Sequence, residues 1–392
     1  MKILHPFSKV NNIEIEIQKA YNYYLSDRNK TYLDAISGLY NCPLGYSVPS
    51  IKCAIADALT EIPSNHIFSI TPGFSQSNKY LTELKIALEK NIPFSKQLFV
   101  TNSGSEAVDS AIGLCKLHSK SDRYKIISYL GSYHGSTKTT LSASGNLSKA
   151  DDQFSFVDFY TFYDTRTIDE YLQYVENRII DIGPSKVLAF IAEPFIGASG
   201  GFFMKDNVLP GLKKILTKYG IYLILDEVIS GLGRLGNMFA FEKYNVIPDI
   251  LILSKAITNG YMPFACCVTS FEYDEEEAIS FGYTMSAHPA SCAAATTSIR
   301  IIERCFYSNV ISTLNSLILS KLETYNIASK CYKIENEGLF FAFHLSQEKE
   351  NYIPYSVTDN KGGKMAIKLR EQGISLPFFA IDSRSRAVFL SI

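Results

Sequence analysis

Apolar residues in this chain gather in short unbroken runs. The clearest are QLFVTN (97–102), YKIISY (124–129), VLAFIAEPF (187–195), IYLILDEV (221–228), DILILSK (249–255) and FACCVTS (264–270). Runs of this length, bounded by polar or turn residues, predict strands buried on both faces. Between them lie stretches of helical period, such as EAVDSAIGLCKLH (106–118) and LPGLKKILTKYG (209–220). In the first, Val108, Ala111, Ile112 and Cys115 fall on one face. Strand–helix alternation predicts an α/β fold around a mostly parallel sheet covered on both sides. Ligands in such sheets bind at the carboxyl ends of the strands.

From about Ser298 the pattern becomes helix (VISTLNSLILSKLETY), strand (LFFAFHL), helix (KMAIKLREQG) and strand (RAVFLSI). This predicts a smaller α+β domain. The N-terminal IEIEIQKAYNYYLSDRNKTYLDA has the alternation of a hairpin that joins it. The expected division is 1–60, a segment joining the small domain; 61–297, the large domain; and 298–392, the rest of the small domain. A length of 392 residues suits a large and a small domain together. With 46% hydrophobic and 20% charged residues the chain is globular, and a net charge of −1 gives no pull toward nucleic acid or an anionic membrane. Eight scattered cysteines lack any C-x-x-C pair or metal-ligand spacing, which suits a reducing, cytoplasmic setting. The N-terminus carries no apolar core of signal-peptide length, and no run approaches a membrane span. Any aromatic-lined pocket must use the 25 Tyr and 25 Phe, because there is no Trp.

The candidate chemistry lies where two of the predicted strands end. Lys255 follows Ile250–Leu253, and Asp226 closes IYLILDEV. Most lysines are surface charges, but this one follows four apolar residues and precedes Ala256-Ile257. Burial lowers a lysine's pKa and favours the neutral amine that imine formation needs. A strand-end lysine that forms a Schiff base and a carboxylate that holds a pyridinium nitrogen together point to pyridoxal phosphate. TNSGSEAVDSA (101–111) opens a helix after a strand. Ser103 and Glu106 read as a capping box, ordinary helix punctuation. Gly104 and Ser105 add a small residue and a hydroxyl at a helix N-terminus, which suits a phosphate. Tyr133, before His134 and Gly135, is a boundary aromatic or a surface for stacking on a flat ring. Glu193 ends another strand on the same expected edge as Asp226.

Two other motifs lack their structural context. Gly231, Gly233 and Gly236 spell the dinucleotide fingerprint, but Asp226–Ser230 separates them from the strand and no helix follows. Gly197, Ser199 and Gly201 spell a hydrolase nucleophile elbow, with Asp249 and His288 in the right order. Glu193-Pro194 and Phe202-Phe203 put loop on both sides, not a strand-to-helix elbow.

In order along the chain, NSGSEAVDSA, SYHGST, AEPFIGASGG, LILDEVISGLGRLG, FEKYNVIPDILILSKAITNGYMP and YTMSAHPASCAAA resemble the class III (omega-type) aminotransferases over residues 30 to 300. The resemblance implies a fold-type-I pyridoxal phosphate transferase and a homodimer. It implies Lys255 as the Schiff-base lysine and Asp226 as partner of the pyridine nitrogen. Val228 and Tyr133 would sandwich the ring, and Gly104 and Ser105 would hold the phosphate. His134 and Glu193 complete the expected cofactor contacts, and Thr284 would reach the neighbouring subunit's phosphate. Donor and acceptor are expected to be an amine or omega-amino acid and a keto acid or aldehyde.

Substrate contacts are expected at Leu39 and Tyr40. Ala198 stands where ornithine- and GABA-type members place a second glutamate, and Pro377 stands where an arginine usually follows EQG-x-x-x. Arg384 or Arg386 could serve in its place, Arg386 the nearer to the last strand; alternatively both are solvated loop charges. Two further functions share these residues: racemisation, aminomutation or decarboxylation on the same fold, and a catalytically degenerate binding protein. Keeping Lys255, Asp226 and Thr284 together speaks against the second.

Overall fold

A computed structural model describes residues 3–6, 15–71, 73–145, 151–159, 167–197, 201–274, 278–307, 309–327, 331–346, 348, 361–375, 378–379 and 387–391. Its largest sheet contains β4 (Gln97–Thr101), β5 (Lys125–Tyr129), β6 (Phe154–Val157), β7 (Val187–Ala192), β10 (Tyr222–Asp226), β11 (Ile250–Leu253) and β12 (Ala265–Thr269), in the order β4-β12-β11-β10-β7-β5-β6. Neighbours are parallel except β12, which runs against both β11 and β4.

The unbroken apolar runs are explained by two cores, one on each face. Ile224, Ile250, Ile252, Ala265 and Cys267 meet Ala107, Val108, Ala111 and Cys115 of helix Gly104–Ser119. Leu223, Leu225, Leu251, Leu253 and Cys266 point the other way, into the core with helices Lys79–Asn91, Ile168–Ile182 and Val208–Tyr219. Alternate side chains of one strand thus fill different cores, and neither face has a use for polar residues.

Near the ends of the chain, β1 (Lys19–Tyr21), β2 (Tyr24–Ser26) and β3 (Thr31–Asp34) form an antiparallel ribbon, and β3 pairs in parallel with β15 (Ile374–Ser375). β13 (Lys333–Glu337), β14 (Phe340–His344), β16 (Phe378–Phe379) and β17 (Ala387–Ser391) make an antiparallel sheet, and β8 (Phe195–Ile196) pairs with β9 (Phe202–Phe203). Among the described residues no helix is long and apolar enough to cross a membrane.

The turn after β3 was not foreseen. Ser37, Gly38, Leu39 and Tyr40 all have positive φ, 52°, 59°, 61° and 67°. They form one turn of left-handed helix, closed by Tyr40 N–H to Ile36 O and Asn41 N–H to Ser37 O, both 2.8 Å. Left-handed backbone costs about 1–2 kcal/mol at each non-glycine residue, so three such residues within one turn need strong local support.

A second tight spot pins the segment that leads into Tyr133 and His134. Gly145, at φ +58°, accepts from Gly131 N–H at 2.9 Å through its carbonyl, and a Cβ there would strike the backbone of Tyr129 and Gly131. Gly145→Ala is therefore expected to lower the urea midpoint by an amount worth more than about 1 kcal/mol. An unchanged midpoint would show that the loop simply moves aside.

Candidate active site

The parallel register sets three side chains on one sheet edge. Leu225 pairs with Ala192 and Asp226 with Ile252, so Glu193, Asp226 and Lys255 emerge from neighbouring strand ends. With Leu39, Gly104, Ser105, Tyr133, His134 and Val228 they line one cavity of about 340 Å³.

Asp226 is buried and held from two sides. Its Oδ2 lies 2.9 Å from His134 Nδ1, and its Oδ1 accepts from Val228 N–H at 3.0 Å. Burial disfavours the His134 cation, but the bond to Asp226 and the charge of Glu193 outweigh it, and the net pKa is raised. Glu193 Oε2 accepts from Tyr133 N–H at 3.1 Å. Burial pushes its carboxyl up to about 8, against the opposing pull of His134. Lys255 begins a short 3-10 turn and carries φ +45° itself. Its pKa is lowered to about 8, chiefly by burial, with Arg234 assisting and Asp226 and Glu193 opposing.

Opposite the strand ends lies the N-terminus of helix Gly104–Ser119. Ser103 caps it, its Oγ accepting from Glu106 N–H at 3.3 Å. The expected capping box is displaced by one residue: Glu106 Oε2 accepts from Asn102 N–H, 2.7 Å, not from Ser103. A Cβ on Gly104 would stand 3.3 Å from Val228, so glycine lets the helix start close to the β10 edge. Ser105 Oγ accepts from Ser136 N–H at 3.1 Å and ties this helix to the Tyr133–Gly135 segment.

One described residue expected to touch the substrate is not in the cavity lining. Tyr40 is buried, with its ring 5.6 Å from Phe340 and Arg234 Nη2 donating to its carbonyl at 3.0 Å. Thr284 sits on an exposed turn before helix Pro289–Tyr307. Beside it, the Tyr283 hydroxyl lies 3.2 Å from both Ser110 Oγ and the Glu106 carbonyl. Ala198, Ser199, Pro377, Arg384 and Arg386 lie outside the described residues. Glu227, next to Asp226, faces away from the cavity: it accepts from Ala240 and Phe241 N–H at 2.7 and 2.8 Å and caps the helix there. Gly231–Gly236 is a run of turns with no helix opening in it.

Sequence reasoning missed Asn41, Phe195, Ile229, Thr258, Met262 and Phe264 in the lining. It also missed Arg234, a buried cation whose pKa is lowered to about 10 by burial. Its only signal was a charge inside a glycine-rich string.

The donor set suits an anionic, aldehyde-bearing pyridine. A helix N-terminus attracts a phosphate, a fixed carboxylate suits a ring nitrogen, and a low-pKa amine suits the aldehyde. The model for class-III aminotransferases matches residues 7–380. The chain belongs to that family. It is a transaminase, and its cofactor is pyridoxal phosphate. It is 31% identical to gamma aminobutyrate transaminase 3, chloroplastic, of Solanum lycopersicum, over 91% of this chain and 74% of that protein. Vanillin aminotransferase of Capsicum chinense is 29% identical, over 90% and 83% respectively. Among solved structures, a transaminase from the marine bacterium Virgibacillus is 26% identical with a TM-score of 0.89, covering 99% of this chain and 91% of that one. A thermostable omega transaminase mutant from Pseudomonas jessenii is 27% identical with a TM-score of 0.88, at the same coverage.

The depressed pKa of Lys255 makes a direct prediction for cofactor-free transaminase. At pH 7 about one copy in ten carries the neutral amine, against about three in ten thousand for an ordinary lysine. Reductive alkylation by a small aldehyde should label Lys255 with a midpoint near pH 8. A midpoint at the ordinary lysine value would contradict the account of its surroundings.

Proposed function

We propose that this transaminase moves an amino group from a primary amine or omega-amino acid to a keto-acid or aldehyde acceptor at the Lys255 cavity. The observation that carries the reading is a strand-end amine, a fixed carboxylate and a helix N-terminus that all line one cavity.

Bound in that cavity, pyridoxal phosphate supplies an aldehyde for amines and a ring that takes up carbanion charge. Lys255 is the amine that would hold it, and the base that would take a proton from the amine-bearing carbon and deliver it to the carbon of the aldehyde. Gly104 and Ser105 would bind the phosphate at the helix N-terminus, and Tyr133 and Val228 would bracket the ring. Asp226 would keep the ring nitrogen protonated, with His134 and the Val228 N–H holding its carboxylate in place. Glu193 fixes the backbone of Tyr133. Arg384 and Arg386 are our candidates for a substrate carboxylate, since Pro377 offers neither charge nor donor.

We read the active unit as a homodimer with Thr284 reaching the neighbouring phosphate site. Phe68, which lies against Gly282, and Met285 expose apolar surface at that turn, and exposed apolar patches favour a partner. A cytoplasmic location suits eight cysteines that are all free. The pairing of β3 with β15 supports grouping residues 1–60 with 298–392 as a small domain beside 61–297.

Purified protein should be yellow and bleach on addition of an amine donor. Borohydride should fix the cofactor to the peptide bearing Lys255; a label on another lysine would sink the assignment. Asp226→Asn should slow proton abstraction about 10–100-fold, the worth of one charge-assisted hydrogen bond. Near-normal single-turnover rates would mean the carboxylate does something else. Light scattering at assay concentration should report a dimer, and a fully active monomer would refute the shared site.

A further inference from the structure

We propose that Asp34, which lies outside the cavity, is a positioning residue for amine selectivity: it holds residues 37–40 in their left-handed turn and so sets Leu39 in the cavity wall. The inference rests on the transaminase reading and deepens it to substrate class. The amine favoured would carry an apolar substituent that Leu39 meets.

Asp34 ends β3, is buried, and spends its whole carboxylate on this turn. Its Oδ1 accepts from Ile36 N–H at 3.2 Å, and its Oδ2 accepts from Gly38 N–H at 2.6 Å and from the Tyr46 hydroxyl at 2.5 Å. An amide cannot accept all three, because it has one acceptor oxygen with two lone pairs and its nitrogen only donates. The turn is also held at its far end. Asn41 Nδ2 donates to the carbonyls of Gly38 and Leu39 at 2.8 and 3.3 Å, and Arg234 binds the carbonyl of Tyr40.

Within the turn the two neighbours of the Gly38–Leu39 pair are buried, Ser37 at 6% and Tyr40 at 3% exposure, while Leu39 is 51% exposed and lines the cavity. A strained backbone that ends by pointing an aliphatic side chain into open space is not explained by core packing. Handedness decides the direction, since a right-handed turn of the same residues would send the Leu39 Cβ elsewhere. The segment that follows the turn, which includes Tyr46, is tied to the lysine-bearing loop: Asn259 takes the Leu44 N–H and gives to the Gly45 carbonyl, and Tyr261 bridges Tyr46 and Val48. Leu39 is thereby fixed relative to the reacting amine. Phe195, Ile229 and Met262 continue the apolar lining.

The test is a double-mutant cycle read as selectivity. Cofactor-loaded wild type, Leu39→Ala, Asp34→Asn and the double variant are compared by the ratio of kcat/KM for 1-phenylethylamine to that for propan-2-amine. Leu39→Ala should lower the ratio about tenfold. Asp34→Asn should lower it at least fivefold, and the double variant should match Leu39→Ala alone, because Asp34 acts only through that side chain. An unchanged ratio in Asp34→Asn, or effects that multiply in the double variant, overturns the proposal. Tyr46→Phe removes one of the three bonds and repeats the cycle if Asp34→Asn fails to fold. It should shift the ratio the same way by less, and no shift overturns the proposal. A wild type that responds to no amine at all fails the transaminase reading itself, and this proposal with it.

Discussion

Everything at the working edge of the large sheet follows from the cost of drying charge. Parallel strands covered on both faces end in dry surroundings, and a group ionised there needs a partner or a changed pKa. Each charged side chain at the ends of β7, β10 and β11 shows one of these solutions. Asp226 takes one bond from an imidazole and one from the backbone. Glu193 and Lys255 move toward their neutral forms. The same dryness that makes a lysine costly to charge makes it a competent nucleophile at neutral pH. The chemistry is thus a by-product of the way the sheet is buried.

Positioning then falls to the backbone. Lys255 sits at positive φ, and the four residues at 37–40 repeat that conformation on the facing wall. Both stretches are braced by side chains that never enter the cavity: Asp34, Arg234 and Asn259. Strained backbone and well-bonded buried polar groups thus meet around one small space.

The sheet was legible in the sequence because two-faced burial writes itself as unbroken apolar runs. Its one reversed strand was not, since a strand buried on both faces has the same composition in either direction. FACCVTS carries no mark that it runs against β11 and β4. Lys255, Asp226 and Glu193 stood out because each stands at or just past the end of such a run. The left-handed turn left only Gly38 as a clue, for Ser37, Leu39 and Tyr40 are not residues that favour positive φ. Adjacent residues with opposite fates were equally opaque. Leu39 lines the cavity while Tyr40 packs on Phe340, and Asp226 faces the cavity while Glu227 caps a helix. Period and propensity do not separate neighbours whose destinations are set by tertiary bonds made far along the chain.

The reversed strand also imposes an order of events during synthesis. β4, which leads straight into the helix N-terminus at Gly104, has β12 as its one ladder partner in the sheet, joined from Ala265↔Thr101 to Thr269↔Gln97. A ribosome delivers β4 more than a hundred residues before β12. Through that interval the first half of the cavity hangs on an unpaired strand, while β7 and β10 can already pair beside it. Lys255 emerges only just ahead of the closing strand. A nascent chain therefore has no finished pocket until that edge is sealed, so the site closes as a long-range event in a chain whose central strands can already be paired.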